Sequence, residues 1–421
     1  MSEAVASSLI VAGRNVIITE VIERAVEDRS TGDTIASIAE WLIGDARRTG
    51  SFTRTIDEFS WRLLAAGMPL LRVTFRGGTL HPQYLGATYV WWRTSAQTQE
   101  IMITHEVADL IPHEQNPITR VLSGETLRRR LEGPDARIDF SILHDLKANG
   151  ATDYIAFPVG GAFGPWAYVA AYVTDRPGGF SEQEIADVFF LSERLSIAAD
   201  MNSQRQIAEN VLKSYLGPQT GGKVLAGQIR RGSGQTIAAV LWSSDLRRFT
   251  QLSDRLPGER VIGVLNDLFD LQAKAIVARG GEVLKFIGDG LLAIFPLSDP
   301  GEAARAAGNA LAAAQEALAE LDVLRAKTSL AGEPPLEIVI ALHYGAVIYG
   351  NIGAADRLDF TVIGPAVNLV SRIEAIAKSL DLPLVVSDDF AHVHGGALTS
   401  LGQHKLRGLE QPHELFTLPP A

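Results

Sequence analysis

Three short stretches in the C-terminal half carry residues able to do phosphate chemistry. In the first, the apolar run ending Leu241-Trp242 delivers Asp245, and a polar turn then leads into a helix starting near Thr250. A strand end facing a helix N-terminus offers free backbone N–H groups to phosphate oxygens, and a carboxylate there can hold a divalent cation. An aspartate in that setting is equally a common helix cap. The second stretch places Asp289 in Gly288-Asp289-Gly290 between two apolar strands, a hairpin-turn signature that could explain the aspartate by itself. Lys285 interrupts the first of those strands, where a lone ammonium is costly without a partner or ligand. The third runs from Asp359 to Glu374: a strand breaks at Gly364-Pro365 and a helix begins. Asn368 and Arg372 lie four apart on one face of that helix, and taken alone could be a polar surface stripe.

The surrounding elements must hold these groups in place. Thr236–Trp242 is a continuous apolar run, as expected of a strand buried on both faces, and an alanine-rich helix follows from Glu302. Upstream, Tyr215-Leu216-Gly217-Pro218 stops a helix, and glycines punctuate the connector beyond it. The N-terminal half has its own alternation. Helical spacing covers Asp33–Arg48 and Thr55–Ala66, and strand composition covers Leu70–Phe75, Ala87–Trp92 and Glu100–Thr104. A helix over Asp139–Asn149 precedes a strand pair, Tyr154–Val159 and Trp166–Thr174, joined by glycine-rich residues 160–164. Ser181 and Glu184 form a capping box opening a helix that reaches about Met201 and continues toward Leu216. Tyr89, Trp91 and Trp92 could line a pocket, but alternating aromatics on a strand more often belong to a core. The expected division is a lead or helix over 1–32, a sensor domain over 33–200, a helical linker over 201–235 and a catalytic domain over 236–421.

Composition narrows the classes. A chain of 421 residues with 46% apolar and 21% charged residues has room for two globular units. Its net charge of −11 argues against a general nucleic-acid binder. With no cysteine, disulfides and thiolate metal ligands are excluded, which fits a reducing cytosol. The apolar segment Ser8–Val21 is too short and too broken by Arg14, Asn15 and Glu20 to span a bilayer, and it lacks the pattern of a secretory signal. These readings point to a cytoplasmic protein without a membrane span.

Together, in this order and spacing, the three stretches resemble the class III adenylyl and guanylyl cyclases over residues 236–418. Residues 35–200 resemble a GAF-like small-molecule sensor through their element order and the exit Pro177-Gly178-Gly179-Phe180-Ser181-Glu182. The fold implied is α/β (α+β): a ferredoxin-like cyclase domain, with a mixed sheet flanked by helices, behind a GAF-like α/β domain. The cyclase resemblance assigns Asp245, Leu246 and Asp289 to two Mg²⁺ or Mn²⁺ ions per site. It assigns Lys285 and Thr361 to the purine edge, Asn368 to the ribose and Arg372 to the transition state. Phe249, Thr250 and Arg407 would contact the substrate, with Lys405 the alternative to Arg407. Arg248 stands where the family often has glycine, and Pro365 where aspartate is frequent.

A lysine can donate to adenine N1 and a threonine hydroxyl can accept from N6, so the pair favours ATP and cyclic AMP formation. Thr361 resembles the subgroup with threonine there, some of whose members respond to bicarbonate. The family builds its sites at a head-to-tail interface, implying a homodimer with shared active sites and an unidentified small-molecule or ionic effector of the N-terminal domain. The rivals are a guanylate cyclase, a catalytically silent nucleotide-binding relative, and a diguanylate cyclase. Residues 280–284 resemble the last family's signature only superficially, lacking its second acidic residue.

Overall fold

A computed structural model describes residues 16–25, 31–79, 81, 84–104, 117–162, 164–328, 336–354 and 356–419. The chain divides into two compact units, residues 1–211 and 212–421.

The first unit contains β1 (Val16–Glu23), α1 (Ile35–Ile43), α2 (Phe52–Ala65), β2 (Arg72–Gly78), β3 (Tyr84–Trp92) and β4 (Gln97–Thr104). It continues with α3 (Pro117–Leu122), β5 (Leu127–Arg130), α4 (Ser141–Ala148), β6 (Asp153–Gly161), β7 (Gly164–Thr174) and α5 (Glu182–Leu216), within which the chain passes into the second unit. The strands form one antiparallel sheet in the order β1-β4-β3-β2-β7-β6-β5. One face packs on α1, α2 and α5, and the other on α3 and α4. Tyr89 and Trp91 are core residues: Trp91 meets Trp61 edge-on at 5.2 Å and Tyr89 meets Phe52 at 4.8 Å. The capping box is formed, with Glu184 accepting from the Ser181 amide at 2.7 Å, and α5 runs unbroken to Leu216.

One element differs from expectation and another was not foreseen. Val16–Glu23, expected within a helix or lead, is an edge strand, because its β-branched run pairs with β4. Residues 1–15 and 26–30 of that lead lie outside the described residues. Leu127–Arg130 is a strand despite three consecutive arginines. Arg129 is held bidentate by Asp139 at 2.8 Å and Arg128 reaches buried Asp153 at 3.0 Å, so charge pairing replaces the apolar pattern that would have marked it.

The second unit begins with α6 (Pro218–Leu225), β8 (Gly234–Leu246), α7 (Phe249–Arg255), α8 (Gly258–Ala278), β9 (Glu282–Ile287), β10 (Gly290–Pro296) and α9 (Ala303–Thr328). There follow β11 (Ile338–Gly353), β12 (Leu358–Ile363), α10 (Pro365–Ser379), β13 (Leu384–Ser387), α11 (Asp388–His394), β14 (Thr399–His404) and β15 (His413–Thr417). The mixed sheet runs β14-β15-β13-β11-β8-β10-β9, with β12 on the far part of β11 and β13 parallel to β11. As its apolar run predicts, β8 is central. Val240 and Trp242 join the core under α8 and α9, while Ala239 and Leu241 join the one under α10.

Part of the expected linker is built into this unit. Gly217 turns the chain at φ +83°, and Pro218 opens α6. Glu282, 2% exposed, accepts from the Thr220 amide at 2.9 Å, the Thr220 hydroxyl at 2.6 Å and the Tyr349 hydroxyl at 2.8 Å. It thereby ties α6 to β9 and β11. The Thr220 and Tyr349 hydroxyls also bond each other at 2.9 Å, so Glu282→Ala would leave the Thr220 amide and one of the two hydroxyls without an acceptor; we expect a loss of about 2–4 kcal/mol of stability, measured by urea unfolding. A loss below about 0.5 kcal/mol would mean that the carboxylate is not what holds α6.

Candidate active site

The two aspartates meet. Asp245 ends β8 and Asp289 lies in the tight β9–β10 turn, with β10 paired directly to β8 (Leu291 opposite Ser244). The carboxyls share a hydrogen bond, and burial together with the Asp245 charge pushes Asp289 up to about 6. Two carboxyls this close repel each other when both are ionised, and a divalent cation between them would relieve that repulsion, so the pair fits a divalent-cation site. Among the described residues no group of three or more His, Asp or Glu side chains converges, so two carboxylates are the side-chain donors on offer.

Sequence reading missed the neighbours of Asp245. The Lys378 ammonium contacts both Asp245 and Glu374, and Glu374 accepts from Ser243 at 2.5 Å. Burial opposes the charge on Lys378, but hydrogen bonding and charge from Asp245 and Glu374 outweigh it and raise its pKa. The i,i+4 spacing of Glu374 and Lys378 was visible; that their face meets β8 was not.

Lys285 lies beside the strand that carries Thr361. Lys285 reaches Asp359 at 3.5 Å, two residues before Thr361 and so on the same side of β12. Because β9 is the sheet edge and the Lys285 side chain is 36% exposed, the lysine carries little of the burial cost expected of it. Thr361 is 5% exposed and its hydroxyl is buried without a hydrogen-bond partner.

Asn368 and Arg372 project from α10 into a groove of about 990 Å³, also lined by His343, Tyr344, Asp389, Gly408 and His413. Gly408 lies beside the Arg372 guanidinium, and its left-handed backbone (φ +75°) rather than any clash is what favours glycine there. Arg407, beside it, is exposed, as are Lys405 and Thr250, while Phe249 packs partly buried against the core under α8 and α9. Leu246 is buried, so only its backbone could face a cation. Arg248 adopts the left-handed conformation (φ +59°, ψ +26°), which gives a physical reason for glycine at that position. Pro365 occupies the first turn of α10, where its missing N–H costs no helix bond.

Residues 235–417 match the family of adenylate and guanylate cyclase catalytic domains. This part of the chain is a class III cyclase domain. A curated adenylate cyclase of Anabaena cylindrica is 30% identical over 221 residues, covering 49% of this chain and 43% of that protein. The chain spans less than half the length of the curated relatives it matches. Among solved structures, an adenylyl cyclase of P. aeruginosa is 27% identical, covering 45% of this chain and 97% of that one, with TM-score 0.41. A guanylyl cyclase is 30% identical, covering 44% and 92%, with TM-score 0.38. No helix among the described residues is long and apolar enough to cross a membrane.

One groove residue of the cyclase domain gives a pH prediction. His343 is 3% exposed, its Nδ1 lies 2.8 Å from the Ser387 hydroxyl, and burial lowers its pKa to about 4. Below pH 6.5 the unfolded chain takes a proton that the folded one refuses, so stability falls as pH drops from 6.5 toward 4. Over that window the loss reaches about 3 kcal/mol. Comparing unfolding of wild type and His343→Gln at pH 7 and pH 4.5 checks this: the pH-dependent loss should shrink by about 2–3 kcal/mol in the variant. Identical pH profiles would show that His343 titrates normally.

Proposed function

We propose that the protein is an adenylate cyclase that converts ATP to 3′,5′-cyclic AMP and pyrophosphate at sites shared between two chains. The carrying observation is the geometry of α10. At about 100° per residue, the face bearing Asn368 and Arg372 lies about 120° around the helix from the face bearing Glu374 and Lys378. The second face meets Ser243 and Asp245 of its own chain. The groove face therefore points away from its own aspartate pair, which supports completion of each site by a second copy.

In this reading Lys285 donates to adenine N1, and the Thr361 hydroxyl, which has no hydrogen-bond partner among the described residues, accepts from N6. Asp359 holds the lysine near that edge. Asn368 orients the ribose. Arg372 stabilises charge on the α-phosphoryl oxygens as the 3′-hydroxyl attacks in line, with Arg407, Phe249 and Thr250 at the phosphates. Asp245, Asp289 and the Leu246 backbone would hold Mg²⁺ or Mn²⁺, which when bound acidify the 3′-hydroxyl and offset triphosphate charge.

The first unit is proposed to be a GAF-like regulatory domain, since its described residues hold no comparable constellation. Residues 206–421 alone should turn ATP over with Mn²⁺, more weakly than the full chain and with specific activity rising steeply with protein concentration. No cyclic AMP from either form would leave the silent-relative reading standing. Full-chain turnover that is lost in 206–421 even at high concentration would place essential groups in the first unit.

A further inference from the structure

The face of the N-terminal sheet turned away from α1, α2 and α5 carries two arginines, Arg72 and Arg76, that form no ion pair among the described residues. Arg72, Thr74 and Arg76 alternate along β2 and so share that face. In register, β3 sets Trp92 opposite Arg72 and Thr88 opposite Arg76. Arg72 is 3% exposed, with its guanidinium carbon 5.1 Å from the Trp92 ring centre. Its Nε is buried without a hydrogen-bond partner, as are the Thr88 hydroxyl and the Trp92 indole N–H.

Burial lowers Arg72 to about 10, against a weaker opposing influence of Tyr154 and Asp145, neither of which bonds to it. For Arg76 burial is the one resolved influence, again downward. The unit's other sheltered arginines are satisfied differently: Arg24 by Asp57, Arg62 by Asp33, Arg128 by Asp153 and Arg129 by Asp139. Burying an unpaired guanidinium is costly, so Arg72, with half-buried Arg76 on the same face, is hard to explain by packing alone. The stack of Arg72 on Trp92 offsets only part of that cost.

All four groups can donate hydrogen bonds and two are cationic, so their common complement is an acceptor-rich anion. We propose that Arg72 and Arg76, with Thr88 and Trp92, form a binding site for a small anion bearing a carboxylate or phosphate group. Its regulatory use rests on the reading of this unit as a sensor; the binding itself does not.

The test uses the full chain, titrated calorimetrically with sodium phosphate and separately with sodium citrate at constant ionic strength. Wild type should bind at least one of the two, and which one separates phosphate from carboxylate chemistry. Arg72→Met should bind at least tenfold more weakly, and Arg76→Met, altered at a less buried position, several-fold more weakly. Any binding by the cyclase domain persists in both variants and subtracts out. In anion-free buffer Arg72→Met should unfold no earlier than wild type, because an uncompensated buried charge has been removed. Equal binding by wild type and both variants overturns the proposal. So does a midpoint several degrees lower for anion-free Arg72→Met, which would make the arginine structural. If the anion binds through Arg72 while cyclic nucleotide production stays constant, the site stands and the sensor reading falls.

Discussion

Asp245→Asn and Arg372→Ala should each lower cyclic AMP production at least a hundredfold, yet an equal mixture of the two should recover about a quarter of wild-type activity. The expectation follows from where α10 points. Lys378 and Glu374 bind it to β8 and Asp245 of the same chain, while Arg372 projects into a groove on a different face. If each site takes Asp245 and Asp289 from one protomer and Lys285, Thr361, Asn368 and Arg372 from the other, each homodimeric mutant has two broken sites. A mixed dimer has one site with both defects and one with neither. Random exchange makes half the dimers mixed, each with one working site of two, which gives the quarter. Lys285 and Asp289, near neighbours on one hairpin, would then serve different sites. No rescue at any ratio, with mixed dimers confirmed independently, would refute the shared site.

The sequence made the chemistry more legible than the contacts that tune it. Asp245, Asp289, Lys285, Thr361, Asn368 and Arg372 stand out because polar groups interrupt apolar strands or recur at helical spacing, and such breaks are local signals. The structure brings Asp245 to Asp289, sets Lys285 against Asp359 two residues before Thr361, and lines one groove with Asn368 and Arg372. The missed residues act across the chain. Lys378 is an ordinary surface-type lysine until α10 is laid over β8, and Glu282 is one more charge on an edge strand until α6 folds back onto it. Strand β5 was invisible for a related reason: its arginines pair with Asp139 and Asp153, distant in sequence, so no alternation marks it. Strand β1, by contrast, had a β-branched run to read, and its place within the N-terminal lead obscured it.

The second large effect concerns the base. Wild type should favour ATP over GTP in kcat/KM by several hundred-fold, equivalent to about 3–4 kcal/mol. The reason is one of unpaired groups rather than size. Adenine presents an acceptor at N1 and a donor at N6, complementary to the Lys285 ammonium and the Thr361 hydroxyl. Guanine presents donors at N1 and N2, so the ammonium would face a donor. The Thr361 hydroxyl, buried and without a hydrogen-bond partner among the described residues, would face the acceptor O6 and could satisfy it only by reversing its role. Asp359 sharpens the difference by holding Lys285 near β12, 3.5 Å away. Lys285→Glu should then lower kcat/KM for ATP by at least a hundredfold and narrow or invert the ratio, because a carboxylate accepts from guanine N1 and N2. Lys285→Ala should lose ATP turnover without gaining GTP turnover, separating base reading from a general loss of fold. Equal kcat/KM for the two nucleotides in wild type, or a preference for GTP, would assign the domain to the guanylate branch despite its lysine and threonine.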